Sequence, residues 1–183
     1  IAMAAKKLAP FGLEFVDTGL TIHPQCPHTK VGEFCAESIL QGSNVEAKKL
    51  YDKGVEYGYS IKDKSDYFIL SECVPAGTTT AYAVVKALGY ECDGYFASSS
   101  GEPSVKTLKQ DVVIKALSSV SYDKNDSFDV MTKFGDTMQP FIAGAATEIA
   151  KYKPVILGGG TQMAAVCAII KAISGSEPFS NIA

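Results

Sequence analysis

Residues 66–90 read DYFILSECVPAGTTTAYAVVKALGY, and this stretch decides the fold class. Tyr67–Leu70 is a short apolar run of the kind that forms a strand buried on both faces. Ala81, Val84, Val85 and Leu88 then recur at i, i+3, i+4 and i+7, which is one face of a helix. Between strand and helix stand Glu72, the breakers Pro75, Ala76 and Gly77, and the threonines Thr78, Thr79 and Thr80. A helix opening on Gly-Thr-Thr-Thr points unpaired N–H groups and hydroxyls outward, which suits a phosphate or a carboxylate. The same residues also fit an ordinary capped strand-to-helix turn in which Thr78 serves only as N-cap.

The pattern recurs further along the chain. Pro154–Leu157 is a second buried-strand run, leading straight into Gly158, Gly159, Gly160 and Thr161. The helix that follows, 161–173, is apolar nearly all round, so it belongs in the interior or at a subunit contact. Two strand–glycine–helix units imply an α/β protein: a three-layer αβα, Rossmann-like domain with a mostly parallel sheet, incomplete within these residues. Leu13–Val16 supplies a further strand, and Asp17-Thr18-Gly19 lies at its carboxyl end, where open parallel sheets gather ligands. Tyr90–Ala97 is a candidate strand running into Ser98-Ser99-Ser100-Gly101.

The helices carry their own signals. Pro103 opens a helix expected to bury Val105, Leu108, Val112, Val113, Ala116 and Val120. Lys109 falls in the middle of that face, where a lysine is costly unless it snorkels to water or meets an anion. Ser43 or Asn44 can cap a helix whose stripe includes Gly54 and Gly58. Glycine in a helix costs about 1 kcal/mol relative to alanine, so close packing on a neighbouring helix is expected there. Thr137 begins a helix with Met138, Phe141, Ile142, Ala145 and Ile149 on one face, and Pro140 is tolerated in its first turn.

Composition narrows the function. A length of 183 residues fits one nucleotide-binding domain over 1–183, and both ends read as parts of a longer chain. With 46% apolar residues, 20% charged and a net charge of −3, the chain lacks the basic stripe that nucleic acid or an anionic membrane requires. No apolar run approaches the roughly 20 residues of a membrane span. Five cysteines without CxxC spacing indicate reduced thiols and a cytoplasmic setting. His23, Cys26 and His28, with Cys35 beyond, contain zinc-ligand residue types, but the spacing matches no common zinc module. A surface loop is the favoured reading, and neither metal nor cofactor is expected. No G-x-G-x-x-G, phosphate-loop or G-x-S-x-G motif is present.

Five segments in register resemble one family, the nicotinate-nucleotide–dimethylbenzimidazole phosphoribosyltransferases of archaea and some bacteria. They are Asp17-Thr18-Gly19; Ser71 through Thr79; Ser98–Ser100 with Lys109 and Val112-Val113; Gly135 with Ala143-Gly144-Ala145; and Pro154 through Thr161. The resemblance implies transfer of phosphoribose from nicotinate mononucleotide to an aromatic base of the 5,6-dimethylbenzimidazole type, in cobalamin lower-ligand synthesis. It further implies that Lys109 and Ser98, Ser99 and Ser100 hold the phosphate. Asp17, Gly77, Thr78, Thr79, Gly158, Gly159, Gly160 and Thr161 would line the substrate pocket. Glu72 would assist as a carboxylate beside base or ribose, and the protein would be a homodimer. Ala76 and Gly77 stand where the family has Gly-Asn, and Cys73 where it has methionine. The family's main catalytic glutamate, in a Gly-Glu-Gly segment, has no match here, so residues 1–183 alone are expected to bind substrate without full turnover. A non-catalytic nucleotide- or phosphate-binding module is the alternative.

Overall fold

The computed structural model describes residues 2–75, 77–96 and 103–183. In chain order these form α1 (Ala2–Lys6), β1 (Val16–Asp17), β2 (Thr29–Lys30), α2 (Ala47–Ile61), β3 (Phe68–Ser71) and α3 (Gly77–Ala87). There follow α4 (Pro103–Ser119), α5 (Ser127–Phe134), α6 (Met138–Ile149), β4 (Val155–Gly158) and α7 (Thr161–Ser174). A 3-10 turn over Glu177–Ser180 precedes the last residues. The α/β class and the parallel pairing expected from the sequence are both observed. β1 pairs with β2, and β3 pairs with β4 in the register Phe68↔Val155 to Ser71↔Gly158.

That register matters for function, because it brings the turns after β3 and after β4 to the same end of the pair. The terminal residues extend the pairing. The Ala183 N–H donates to the Val155 carbonyl, and the Val155 N–H donates to the Asn181 carbonyl.

Among the described residues, only one face of β3–β4 is covered. Phe68 and Leu70 pack on the core, whereas Ile69 is 58% and Ile156 42% exposed. A strand run that is apolar at every position does not reveal which face its neighbours cover, so burial on both faces was the wrong expectation. The stretch 90–96 forms turns, not a strand, and Ala97–Ser100 lie outside the described residues. Gly89 and Gly94, both at positive φ, interrupt extended backbone there.

The core is helical. Phe134, Met131, Ile149, Ile169, Ile170, Val84 and Val113 are fully buried. α2 and α6 approach backbone to backbone, as Gly54 and Gly58 led one to expect. A Cβ on Gly54 would stand 2.2 Å from the Phe141 carbonyl oxygen. One on Gly144 would stand 2.2 Å from that of Tyr51. The cost of helical glycine is thus offset by contact along the whole interface.

One cap and one buried face differ from expectation. Neither Ser43 nor Asn44 caps α2: Ser43 donates to the Thr132 carbonyl, and Asn44 adopts a left-handed φ of 52°. Leu108 is 61% exposed, so the buried face of α4 is narrower than the periodicity implied and centres on Val113 and Ala116.

Candidate functional site

The carboxyl ends of β1, β3 and β4 carry the residues singled out from the sequence, and a polar network ties their flanking helices together. Its centre is Asp136, in the segment Gly135-Asp136-Thr137 before α6. Asp136 Oδ1 accepts from the Met138 N–H at 3.0 Å and the Gln139 N–H at 3.2 Å. Gln139 Oε1 accepts in return from the Asp136 N–H at 3.3 Å. This is a reciprocal capping box. Thr137 was read as the helix start, but the capping side chain belongs to Asp136.

The other oxygen, Asp136 Oδ2, faces α3 and α7. Gln162 Nε2 donates to it at 2.7 Å, and Gln139 Nε2 donates to Gln162 Oε1 at 2.8 Å. Thr80 Oγ1 lies 2.9 Å from both Asp136 Oδ2 and the Gly77 carbonyl oxygen. A hydroxyl has one proton, so it can donate to only one of them. Protonation of Asp136 satisfies both, with Asp136 donating to Thr80 and Thr80 to Gly77. Burial pushes the Asp136 carboxyl above its ordinary range, against the opposing pull of Gln162, Thr80 and the Gln139 and Met138 N–H groups.

The first residue of α3 is shaped by the same network. A Cβ on Gly77 would fall 2.0 Å from Gln162 Nε2. Glycine there admits the glutamine that links α3, α6 and α7. Thr18, beside β1, joins through its hydroxyl, 3.1 Å from that of Thr137. Asp17 is fully buried and receives the Gly19 N–H at 2.8 Å, the Leu20 N–H at 2.7 Å and His23 Nδ1 at 2.6 Å. Burial raises its pKa, but the Leu20 and Gly19 N–H groups and His23 outweigh that and hold it below the usual carboxylate range.

The Lys109 ammonium donates to the Thr78 hydroxyl at the start of α3 and pairs with no carboxylate among the described residues. A cation is thereby held at the positive end of a helix, a combination that favours an anion between them. Glu72, half-buried, turns one oxygen back to the Val74 N–H at 2.7 Å and keeps the other. Thr79 is half-buried on the first turn of α3. Gly158 sits against Ser71, while Gly159 and Gly160 are exposed ahead of half-buried Thr161. Ser98, Ser99 and Ser100 lie outside the described residues.

Solved structures share this fold. The nicotinate-nucleotide-dimethylbenzimidazole phosphoribosyltransferase of Thermus thermophilus superposes with a TM-score of 0.70 at 20% identity, over 91% of this chain and 51% of that one. The fold is that of the nicotinate-nucleotide-dimethylbenzimidazole phosphoribosyltransferases. A structure of CobT from the same organism gives a TM-score of 0.68 at 19% identity, over 91% of this chain and 52% of that one. The fold that the resemblance implied is thus the one observed.

In sequence, the chain is 34% identical over 188 residues to a UPF0284 protein of Methanothermobacter thermautotrophicus, covering 100% of this chain and 52% of the relative. It is 38% identical over 170 residues to a UPF0284 protein of Methanocaldococcus jannaschii, covering 91% of this chain and 48% of the relative. The chain therefore spans about half the length of the curated relatives it matches. No family model matches it.

The sequence reading did not single out Asp136, Gln139 or Gln162. Asp-x-x-Gln ahead of an apolar helix was a legible capping-box signal. Gln162, a lone amide at the start of an otherwise apolar helix, was a second. That both amides meet one carboxylate depends on how α6 and α7 pack.

Proposed function

We propose that this chain is the nucleotide-binding part of an enzyme that moves phosphoribose from nicotinate mononucleotide to an aromatic base of the 5,6-dimethylbenzimidazole type. The observation that carries the reading is the Lys109 ammonium held on Thr78 at the start of α3. There, between the carboxyl ends of two parallel strands, a nucleotide phosphate meets a cation and unpaired helix N–H groups together. Ser98–Ser100 complete the phosphate seat, and Gly158–Thr161 with Asp17 and Thr79 line the pocket. Glu72 faces base and ribose.

In the reaction the bond from the ribose anomeric carbon to the pyridinium nitrogen breaks, and its electron pair returns to the ring, freeing nicotinate. The unprotonated ring nitrogen of the benzimidazole gives its lone pair to the new bond, and the proton on the other ring nitrogen passes to a carboxylate. Glu72 is the carboxylate assigned to base and ribose, acting as assistant or orienter, and the family's principal glutamate has no counterpart within these residues. The protein acts as a homodimer in the cytoplasm. No described helix is long and apolar enough to cross a membrane, and the cysteines are all free thiols.

The full-length protein is incubated with nicotinate mononucleotide and 5,6-dimethylbenzimidazole, and released nicotinate is measured. Release that falls with Lys109→Ala, together with nucleotide affinity lower by about 10–100-fold, is the expected result for loss of a charge-assisted hydrogen bond. Nucleotide binding without nicotinate release, across several bases, would establish the non-catalytic binding module instead. Affinity unchanged in a folded Lys109→Ala variant would refute the phosphate assignment.

A further inference from the structure

The loop between β1 and β2 brings both histidines of the chain against a buried carboxylate. His23 Nδ1 lies 2.6 Å from Asp17 Oδ2, and His28 Nδ1 lies 2.9 Å from the Cys26 carbonyl oxygen. A carbonyl only accepts, so His28 carries its proton on Nδ1 and keeps the Nε2 lone pair for another partner. The two rings stack with centroids 6.4 Å apart and planes 12° from parallel. Donor atoms from Asp17, His23 and His28 all lie within 4.8 Å of one another. Ligands placed about 2.0–2.2 Å from one ion are separated by roughly 3–4 Å, so modest adjustment seats a single cation.

The trio is anchored by its carboxylate. Asp17 Oδ1 is taken up by the Gly19 and Leu20 N–H groups, which leaves Oδ2 turned toward the imidazoles. The neighbouring thiols of Cys26 and Cys35 do not join the group among the described residues. The cysteine-containing zinc set weighed from the sequence therefore is not assembled; a buried carboxylate takes the place of the thiols.

We propose that Asp17, His23 and His28 bind one divalent transition-metal ion of the Zn²⁺ or Co²⁺ class, with at least one coordination position left open. Two imidazoles and one carboxylate suit these borderline ions better than Mg²⁺ or Ca²⁺, which prefer oxygen throughout. On binding, the Asp17–His23 hydrogen bond opens: neutral His23 passes its Nδ1 proton through solvent to Nε2, an imidazolium would lose one proton to solvent, and the freed Nδ1 and Asp17 Oδ2 give lone pairs to the ion. The ion pins the 18–28 loop to the carboxyl end of β1. This site goes beyond the transferase reading, with which it shares only Asp17, and metal binding measured without nucleotide tests it separately.

The test uses full-length protein stripped with a chelator and titrated near neutral pH with ZnCl₂ or CoCl₂ in the absence of nucleotide. One equivalent is expected to bind, with visible ligand-field bands from Co²⁺ and a rise in Tm from Zn²⁺. His23→Ala and His28→Ala each lower Zn²⁺ affinity at least about 100-fold, and Cys35→Ala leaves it unchanged. Because Asp17→Asn also disturbs the loop, His28→Ala, checked for folding by circular dichroism, is the deciding variant. Affinity retained in folded His28→Ala, affinity lost in Cys35→Ala, or no saturable binding up to about 100 μM overturns the proposal.

Discussion

Gly77→Ala probes the network that assembles the site. The added Cβ would lie 2.0 Å from Gln162 Nε2, 2.9 Å from Cδ and 3.2 Å from Cγ. An ordinary contact needs about 3.5–4 Å, so the glutamine head must withdraw by roughly 1.5 Å. It has little room to do so, being 2% exposed and held by Asp136 at 2.7 Å and Gln139 at 2.8 Å. Withdrawal breaks both bonds in a site without solvent. Leaving a buried polar group unpaired costs about 1–3 kcal/mol, whereas alanine regains at most about 1 kcal/mol of helix propensity. With both bonds broken the cost is about 2–6 kcal/mol, so the balance is a loss of about 1–5 kcal/mol. Urea unfolding of Gly77→Ala, of Gln162→Ala and of the double variant measures it. In the Gln162→Ala background the alanine at 77 has nothing to strike, so its cost should nearly vanish. A loss below about 0.5 kcal/mol, or a cost that persists unchanged in the double variant, would refute the reasoning.

Gly54→Ala should cost about 1–3 kcal/mol despite better helix propensity, since its Cβ would lie 2.2 Å from the Phe141 carbonyl; a stability equal to wild type in thermal unfolding would contradict close α2–α6 packing. Asp136 predicts an unusual pH dependence. Its folded pKa is raised above its unfolded value of about 4, so its stabilising contribution is full below that pH and is lost as pH rises through the folded value. Wild type should therefore lose stability relative to Asp136→Asn on going from about pH 4 toward neutrality, and parallel curves would argue against a protonated Asp136. Asp17 runs the other way, its depressed pKa stabilising above its unfolded value, with the contribution lost as pH falls through the folded one.

Much of the fold was legible because it rests on local rules. The strand–turn–helix at 66–90, the glycine stripe at Gly54 and Gly58, and the glycine run at 158–160 each carry a period or a backbone requirement that neighbours in sequence reveal. Tyr90–Ala97 misled because β-forming side chains outvoted the glycines between them. Leu108 misled because periodicity marks a face without saying how much of it a neighbour covers.

The site divides along the same line. Glu72, Thr78, Lys109 and Gly158–Thr161 were marked by type and position alone. Residue type could not say where the Lys109 ammonium sits, since its long stem permits several directions; the packing of α4 on α3 puts it on the Thr78 hydroxyl. Nor could spacing join Asp17 to His23 and His28, or bring Asp136, Gln139, Gln162 and Thr80 together from three helices. The sequence by itself determined the α/β class, the parallel strands and the glycine-bearing turns at their carboxyl ends, because those follow from hydrophobic period and backbone chemistry. Tertiary structure alone decided which polar side chains share a buried space, because that depends on helix approach distances set by residues far apart in the chain.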